Sequence, residues 1–242
     1  MSIYVFLGPT LSVARAREEL EAVYLPPVAQ GDIFRLAREM PTAIGIIDGY
    51  FGTVPSVWHK ELLWAMSKGI HLYGSASIGA LRAAETSAFG MIGVGTIFAA
   101  FQNGALEDDD EVAVAHLPHE SGYKKLSTAM VNIRATVRAA VAAEVIRAQS
   151  GMVLEKTAKS LYYPERCYET ILLRVRDSGV SAREIESFKH WLPRGEVDQK
   201  AEDATEMLRV MWNDAHRGLA RKKVKYHFEF AEMCAANESL KD

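Results

Sequence analysis

A serine among small residues follows a short apolar run in the first third of the chain. The run "IHLYG" (70–74) leads directly into Ser75-Ala76-Ser77-Ile78-Gly79, and a helical pattern begins near Ile78. Small residues on both sides of Ser77 allow the chain to reverse tightly from strand into helix, as in a nucleophile elbow. Such a turn presents the hydroxyl above the sheet edge and leaves the first helix amides to hold an oxyanion. Ser77 is therefore a candidate nucleophile for acyl transfer.

The same turn has two simpler interpretations. Small residues after a strand also let a helix pack closely on the sheet, in which case Ser77 is only the N-cap of that helix. The free amides at the helix start could instead hold a phosphate or a carboxylate. The pattern alone leaves all three interpretations open.

A nucleophilic serine needs a base, and Lys60 in "SVWHKELLW" (56–64) is the better candidate for it. This lysine lies on the predicted helix that immediately precedes the "IHLYG" strand. Partly removed from water there, its amine could lose a proton and serve as the base of a Ser-Lys pair. The alternative is a helix-surface lysine paired with a nearby carboxylate.

The acidic run 108–111 resembles a magnesium site only in composition. Four consecutive acidic residues without interleaved spacing cannot all face one ion. We interpret the run as a solvated turn that leads into one more strand, near 111–116. The sequence therefore predicts no metal and no cofactor.

The elements that would position these residues are those of a parallel sheet. Short apolar runs alternate with amphipathic runs, as in parallel strands with covering helices. Three runs predict buried strands: 3–7, 43–48 and 70–74. The prolines of "YLPPVA" (24–29) place that segment at a sheet edge. Because parallel strands end at one edge of a sheet, the segments that begin at Gly8, Asp48 and Gly74 should converge.

From about Ser127 the chain is rich in Ala, Leu, Glu and Arg and has no strong strand run. Five helices are predicted there: 128–149, 153–160, 165–178, 182–191 and 196–217. We therefore predict an α/β fold, with an N-terminal Rossmann-like parallel-sheet core over 1–122. A mainly α-helical region over 123–242 packs on this core, as a second domain or as part of one continuous domain. The last 20 or so residues are polar enough for a docking tail or a partly disordered segment.

Composition excludes several classes of function. The 242 residues include 28 basic and 31 acidic side chains, and a net charge of -3 gives no electrostatic reason to expect nucleic acid. No apolar stretch approaches the roughly 20 residues of a bilayer span, and the N-terminus lacks the features of a secretory signal. We expect a cytoplasmic protein. Cys167 and Cys234 have no paired spacing, so neither a disulfide nor a zinc site is predicted.

Several segments, taken together and in order over the first half of the chain, resemble the TfuA-like proteins. They are "FLGPTL" (6–11), "PPVAQGDI" (26–33), "IGIIDGYF" (44–51), "PSVWHKELL" (55–63), "GSASIGALRAAE" (74–85), "FGMIGVGTIF" (89–98) and "DDDEVAVAH" (108–116). The helical half resembles the family more loosely, through "VNIRATV" (131–137) and "VDQKAEDA" (197–204).

This resemblance implies a partner of YcaO enzymes in peptide backbone thioamidation, in which sulfur replaces an amide oxygen. The YcaO protein activates the amide with ATP. The TfuA-like protein is associated with release of sulfide from a thiocarboxylated, ubiquitin-like carrier such as ThiS, and it assists the YcaO enzyme with its peptide substrate. A hydrolase-like site with a Ser-Lys pair fits that role, and it favours Ser77 and Lys60.

Serine attack on the carrier thiocarboxylate would expel sulfide and leave an acyl-serine for water to hydrolyse. Amides near Gly8 and Gly79 would hold the oxyanion, and Asp48 or Glu85 would orient Lys60. His59, beside Lys60, is a further supporting candidate. Two residues remain rivals for the central roles, Ser75 for the nucleophile and Lys200 for the base.

Two other classes of function compete with this hydrolase. One is a non-catalytic scaffold that binds YcaO and the peptide precursor, with Ser77 a cap and Lys60 a surface charge. The other is a small-ligand or nucleotide module at the strand ends, for which "FLGPTL" lacks the glycine spacing of a phosphate loop.

Overall fold

The computed structural model describes residues 2–52 and 54–228. The chain divides into two compact units, one formed by residues up to Glu107 together with those from Ala201 onward, the other by Asp108–Lys200. The predicted boundary at residue 122 stays a prediction. Cys234 and the end of the predicted tail lie outside the described residues.

The first unit is built on a five-stranded, all-parallel sheet with the order β2-β1-β3-β4-β5. The strands are β1 (Ile3–Phe6), β2 (Val23–Leu25), β3 (Ala43–Ile46), β4 (His71–Ser75) and β5 (Ile92–Val94). The register pairs Ile46 with Gly74 and Ser75 with Val94, so β3, β4 and β5 end side by side. The α/β fold with a parallel sheet is confirmed. Of the predicted edge segment 24–29, Tyr24 and Leu25 belong to the edge strand β2, which ends just before Pro26.

The helices of this unit are α1 (Val13–Arg17), α2 (Asp32–Ala37), α3 (His59–Ser67), α4 (Ile78–Thr86) and α5 (Thr96–Gln102). Ser12 accepts a hydrogen bond from the Arg15 amide at 3.3 Å and so caps α1, as the sequence predicts. Alternation along the strands sends successive side chains to opposite faces. Phe6, Ile44 and Ile46 share a core with α2 and α3.

The opposite face of the sheet is covered by a late helix, α10 (Gln199–Arg217). Met207 and Met211 of this helix pack with Val5 and Tyr73 in one buried cluster. The helix approaches β3 so closely that a Cβ atom on Gly45 would lie 2.9 Å from the Met211 sulfur. This helix, the last within the described residues, therefore completes the core of the sheet.

The second unit is helical, and its main elements are α6 (Met130–Ala142), α7 (Ala148–Ser160), α8 (Tyr168–Arg174) and α9 (Ala182–Gly195). Their apolar faces bury one core that includes Ile133, Leu154, Ile171 and Phe188. The predicted helix 128–149 is wrong in one respect, because it is interrupted. Helix α6 ends at Ala142, and Glu144 adopts a positive φ of 57° before α7 begins.

The predicted strand at 111–116 is also wrong. The described residues of the second unit contain no strand there, and a 3-10 turn, Asp109–Glu111, takes its place. The fifth strand is instead β5, a three-residue segment with glycine at its centre.

Candidate functional site

The ends of β1 and β3 are joined through the buried carboxylate of Asp48. Its Oδ2 atom accepts hydrogen bonds from the amides of Gly8 and Thr10 at 2.9 and 3.0 Å, and its Oδ1 atom accepts one from the Thr10 hydroxyl at 2.6 Å. Asp48 is 1% exposed. The predicted convergence of these two strand ends is therefore present, and Asp48 holds the Gly8 loop in place. Among the described residues its carboxylate makes no contact with Lys60.

The turn from β4 into α4 is sharp and strained. Ala76 has a positive φ of 64°, in the left-handed region that is rare for residues other than glycine. Ser77 follows with φ -123° and ψ -129° and forms the N-cap position of α4. Strain of this kind persists only where the surrounding structure imposes it, and it is frequent at functional sites.

Two glycines permit this turn. A Cβ atom on Gly79 would lie 1.8 Å from the Ile46 carbonyl oxygen, and one on Gly74 would lie 2.1 Å from the Gly79 carbonyl oxygen. The start of α4 therefore lies directly against the backbone of β3 and β4. The Gly79 amide donates to the Ile47 carbonyl at 3.3 Å. The amides of both predicted oxyanion donors, Gly8 and Gly79, thus have acceptors within the protein.

Ser77 itself is 2% exposed. Its carbonyl accepts from the amides of Ala80 and Leu81, at 2.9 and 3.4 Å. Its hydroxyl makes no capping hydrogen bond with α4. A serine that was present only as an N-cap would use its hydroxyl for that bond.

Ser75 has a different environment. It is fully buried, and its Oγ atom lies 2.9 Å from the carbonyl oxygens of both Val94 and Asp203. The hydroxyl thus ties the end of β4 to β5 and to α10. Asp203 in turn accepts from the Ile97 amide at 2.7 Å and so caps α5. These contacts give Ser75 a structural role.

Lys60 is the second residue of α3 and is half-buried. Its Nζ atom lies 5.4 Å from the centroid of the Trp58 ring. An aromatic face at this distance attracts the ammonium group and limits its freedom. Trp58 thus helps to place the candidate base.

His59 and Glu85 are brought together by α3 and α4. The Nε2 atom of His59 lies 2.7 Å from Glu85 Oε2, and Arg82 donates to the same oxygen at 2.7 Å. Arg82 also donates to the Val57 carbonyl and the Ser56 hydroxyl, at 3.0 and 3.1 Å. Because Glu85 lies eight residues beyond Ser77, the pair is about 12 Å along the helix axis from the serine.

Two residues of this region have roles that sequence reasoning missed. Arg82, with its side chain 13% exposed, fastens the segment before α3 to α4. Glu61 is buried and accepts from the amides of Gly31, Phe34 and Trp58, at 2.8, 3.3 and 3.2 Å. Burial raises the pKa of the Glu61 carboxyl, and the three amides act in the opposite direction. A glutamate three residues after Trp58 was the available signal, since this is the spacing of a capping box.

Lys200 lies in the second unit and is 1% exposed. Its Nζ atom donates to the Val112 carbonyl at 2.7 Å, and its amide donates to Asn132 at 3.1 Å. It borders a cavity of about 540 Å³ whose lining also includes Ser127 and Asp198. These contacts join Lys200, the last residue of the second unit, to Val112 and Asn132.

The acidic run is held by basic side chains of the second unit. Lys159 contacts the carboxylates of Asp108, Asp110 and Glu111, at 3.0 and 2.9 Å for the first and last. Arg134 donates twice to Glu111, at 2.9 Å each, and the buried Arg166 pairs with Asp110. Burial alone would raise the pKa of Glu111, but Arg134 and Lys159 more than offset this and lower it. The three carboxylates that cluster here are therefore bound to protein cations.

Residues 48–167 match the sequence model of the TfuA-like proteins. The chain belongs to the TfuA-like protein family. The matched segment contains Asp48, Lys60, Ser77 and Glu85, so the strained β4–α4 turn lies within it. Gly8 and Lys200 lie outside it. No curated protein matches the chain. None of the helices within residues 2–52 and 54–228 combines the length and hydropathy needed to cross a bilayer.

Proposed function

We propose that this TfuA-like protein is a cytoplasmic accessory protein of YcaO-dependent peptide backbone thioamidation. In this role it hydrolyses the C-terminal thiocarboxylate of a ThiS-like sulfur carrier and so supplies sulfide to a YcaO enzyme that acts on its peptide substrate. Family membership supports the YcaO association. One observation carries the hydrolytic step: Ser77 follows the strained Ala76 at a strand-to-helix turn, and its hydroxyl does not cap the helix.

The chemistry divides into two balanced steps. In the first, the Ser77 oxygen attacks the thiocarboxylate carbon, the C–S bond breaks, and the serine proton passes through the Lys60 amine to sulfide, which leaves as HS⁻. In the second, water attacks the acyl-serine and the ester C–O bond breaks; one water proton returns to the Ser77 oxygen, the other is released to solvent, and the carrier leaves as a carboxylate.

The tetrahedral intermediate needs donors, and in this proposal the first amides of α4, including that of Gly79, provide them. The Gly79 and Gly8 amides would each exchange a present acceptor, Ile47 O or Asp48 Oδ2, for the oxyanion. The Gly8 loop is held by Asp48, so a role of Asp48 in this proposal is to position that loop.

The remaining candidate residues are either supports for Lys60 or alternatives to Ser77 and Lys60. Glu85 and His59, about two helical turns from Ser77, support α3 and thus the placement of Lys60. Ser75, whose hydroxyl contacts the carbonyl oxygens of Val94 and Asp203, is the alternative nucleophile. Lys200 is the alternative base.

A second candidate function is a non-catalytic scaffold that binds YcaO and its peptide substrate. The burial of Ser77, at 2% exposure, favours it, because a nucleophile must meet its substrate. On the hydrolase account, the carrier tail gains access to Ser77 through a local opening around the turn.

The test is sulfide release from a purified thiocarboxylated ThiS-like carrier, compared among the wild type, Ser77→Ala and Lys60→Met. The hydrolase account expects at least about a hundredfold loss in both variants. Exposed Lys156→Met serves as the matched control, and it should release sulfide at the wild-type rate. Release at the background rate by the wild type would support the scaffold, whereas equal release above background by all four proteins would place the active site on other residues.

A further inference from the structure

One lysine in the segment after α10 is partly removed from water. Lys222 is half-buried, whereas its neighbours Arg221 and Lys223 are exposed. The Lys222 amide donates to the Gly69 carbonyl at 3.0 Å, just beyond the end of α3. This hydrogen bond fixes the backbone of the lysine on the first unit, so its side chain starts from a defined point.

The amine of Lys222 lies close to the backbone of Gly90. A Cβ atom on Gly90 would lie 3.0 Å from the Cε atom and 3.3 Å from the Nζ atom of Lys222. The Met66 sulfur lies 4.0 Å from the same Cβ position. Gly90 has a positive φ of 111°, which favours glycine, and the missing side chain leaves room for the amine. A glycine backbone and a thioether thus border the amine on this side, and neither carries charge.

No carboxylate within the described part of the chain compensates the Lys222 amine. The lysine forms no ion pair with an acidic residue of 2–52 or 54–228. The sequence has no acidic residue between Asp214 and Glu229. Burial lowers the pKa of the Lys222 ammonium, and no ion pair acts in the opposite direction. A larger share of this lysine than of an exposed lysine is therefore the neutral amine, which is the nucleophilic form.

We propose that the Lys222 amine is a modification site that takes an acyl group from a small anionic donor of the acyl phosphate class. The amine nitrogen attacks the carbonyl carbon, the bond from that carbon to the phosphate oxygen breaks, and phosphate leaves with the surplus amine proton. The product is an uncharged amide, so the burial that disfavours the ammonium does not oppose it. This inference does not depend on the proposed hydrolysis, since Lys222 is not part of the Ser77 turn.

The charge around Lys222 favours an anionic donor over a neutral one. Lys223 and Lys225 are exposed, and neither forms an ion pair with a carboxylate of the described ranges. Arg221 adds a third positive charge, although its side chain is bonded to the Lys68 carbonyl. A local concentration of cations raises the concentration of small anions beside it. A neutral acyl donor gains nothing from this attraction.

The test is acetylation of the full chain with limiting acetyl phosphate, compared with the neutral donor phenyl acetate. Cleavage after acidic residues releases one peptide, 215–229, which contains Lys222, Lys223 and Lys225. Mass spectrometry therefore ranks the three lysines within the same molecule. In the folded protein Lys222 should react at least about threefold faster than either exposed lysine, and in guanidinium chloride this ratio should fall to about one because burial is lost.

The variant Lys223→Gln/Lys225→Gln tests the choice of donor. It should slow acetylation of Lys222 by acetyl phosphate about threefold and change the reaction with phenyl acetate by less than about 1.5-fold. The matched control, Arg183→Gln/Lys189→Gln on exposed positions of α9, should alter neither rate. Equal reaction of Lys222 and Lys223 in the folded protein would overturn the proposal. So would a preference that persists in the denatured chain, or an equal effect of the strand-free double variant on both donors.

Discussion

The carbonyl oxygen of Ile46 occupies the space where a side chain on Gly79 would begin, 1.8 Å from the position of its Cβ atom. This contact brings the first turn of α4 against the end of β3 and so fixes where the Ser77 turn lies. The proposed chemistry depends on it, because the amides at the start of α4 must lie beside the serine.

Gly79→Ala should therefore affect both stability and sulfide release. The backbone of β3 cannot move aside, so α4 must shift, at a cost of about 3 kcal/mol in the free energy of unfolding. Urea denaturation measures this cost. The control is Gly218→Ala, which has a positive φ of 86° but no neighbouring atoms within 4 Å, and it should cost about 1 kcal/mol. Equal effects of the two substitutions would show that the contact is unimportant.

Ser75→Ala separates the two candidate serines. Its hydroxyl contacts two carbonyl oxygens in a buried position, so its loss should lower the free energy of unfolding by about 1–2 kcal/mol. Sulfide release by the folded variant should stay within about threefold of the wild-type rate, since the proposal assigns the reaction to Ser77. Loss of all release by a folded Ser75→Ala protein would transfer the nucleophile to Ser75.

Arg82→Lys tests whether the segment before α3 positions Lys60. A lysine cannot reach the Val57 carbonyl, the Ser56 hydroxyl and Glu85 together, because it lacks the planar fork of donors. We expect kcat for sulfide release to fall about tenfold, with about 1 kcal/mol lost in stability. Steady-state kinetics and urea denaturation measure the two effects. An unchanged kcat beside the stability loss would restrict Arg82 to a structural role.

The acidic run should make the second unit sensitive to acid. Burial by itself would raise both pKa values, but Lys159 and Arg166 lower the pKa of Asp110 below its ordinary value, and Arg134 and Lys159 do the same for Glu111. A carboxyl whose pKa is lower when folded contributes stability that is complete above its unfolded value, near 4, and is lost as pH falls through the folded value. Unfolding free energies between about pH 7 and pH 3 measure this loss.

Glu111→Gln should cost about 3 kcal/mol at neutral pH, since it breaks a buried pair, and it should flatten the acid dependence. Exposed Glu165→Gln is the control and should change neutral stability by less than about 0.5 kcal/mol. A variant Glu111→Gln with the full acid dependence of the wild type would contradict this assignment.

Much of the fold follows from local pattern. Apolar runs and turn residues predicted β1, β3 and β4, and the prolines after Tyr24 placed β2 at the edge. The strand β5 was missed because it has three residues and a central glycine. The apolar residues at 112–114 suggested a strand, but Val112 and Ala113 are buried beside a 3-10 turn whose acids are bound by Lys159 and Arg134.

The site was predictable only in part. The tight turn at Ser77 is a local pattern of small residues, and the structure adds the strain at Ala76. The contacts that distinguish Ser75 from Ser77 join β4 to α10 across 128 residues of sequence. Likewise, Arg82 meets Val57 and Glu61 meets Gly31 only after α2, α3 and α4 have packed. Side-chain partners this distant leave no signal in a single sequence.

The most direct test of the central claim is intact-mass spectrometry of the acid-quenched reaction, with enzyme in excess over a thiocarboxylated ThiS-like carrier. We expect a transient ester whose mass is that of protein plus carrier less H₂S, with the carrier C-terminus on Ser77 after proteolysis. The ester should be absent from Ser77→Ala. Continued sulfide release by Ser77→Ala, or an adduct on another residue, would contradict the assignment of Ser77 as the nucleophile.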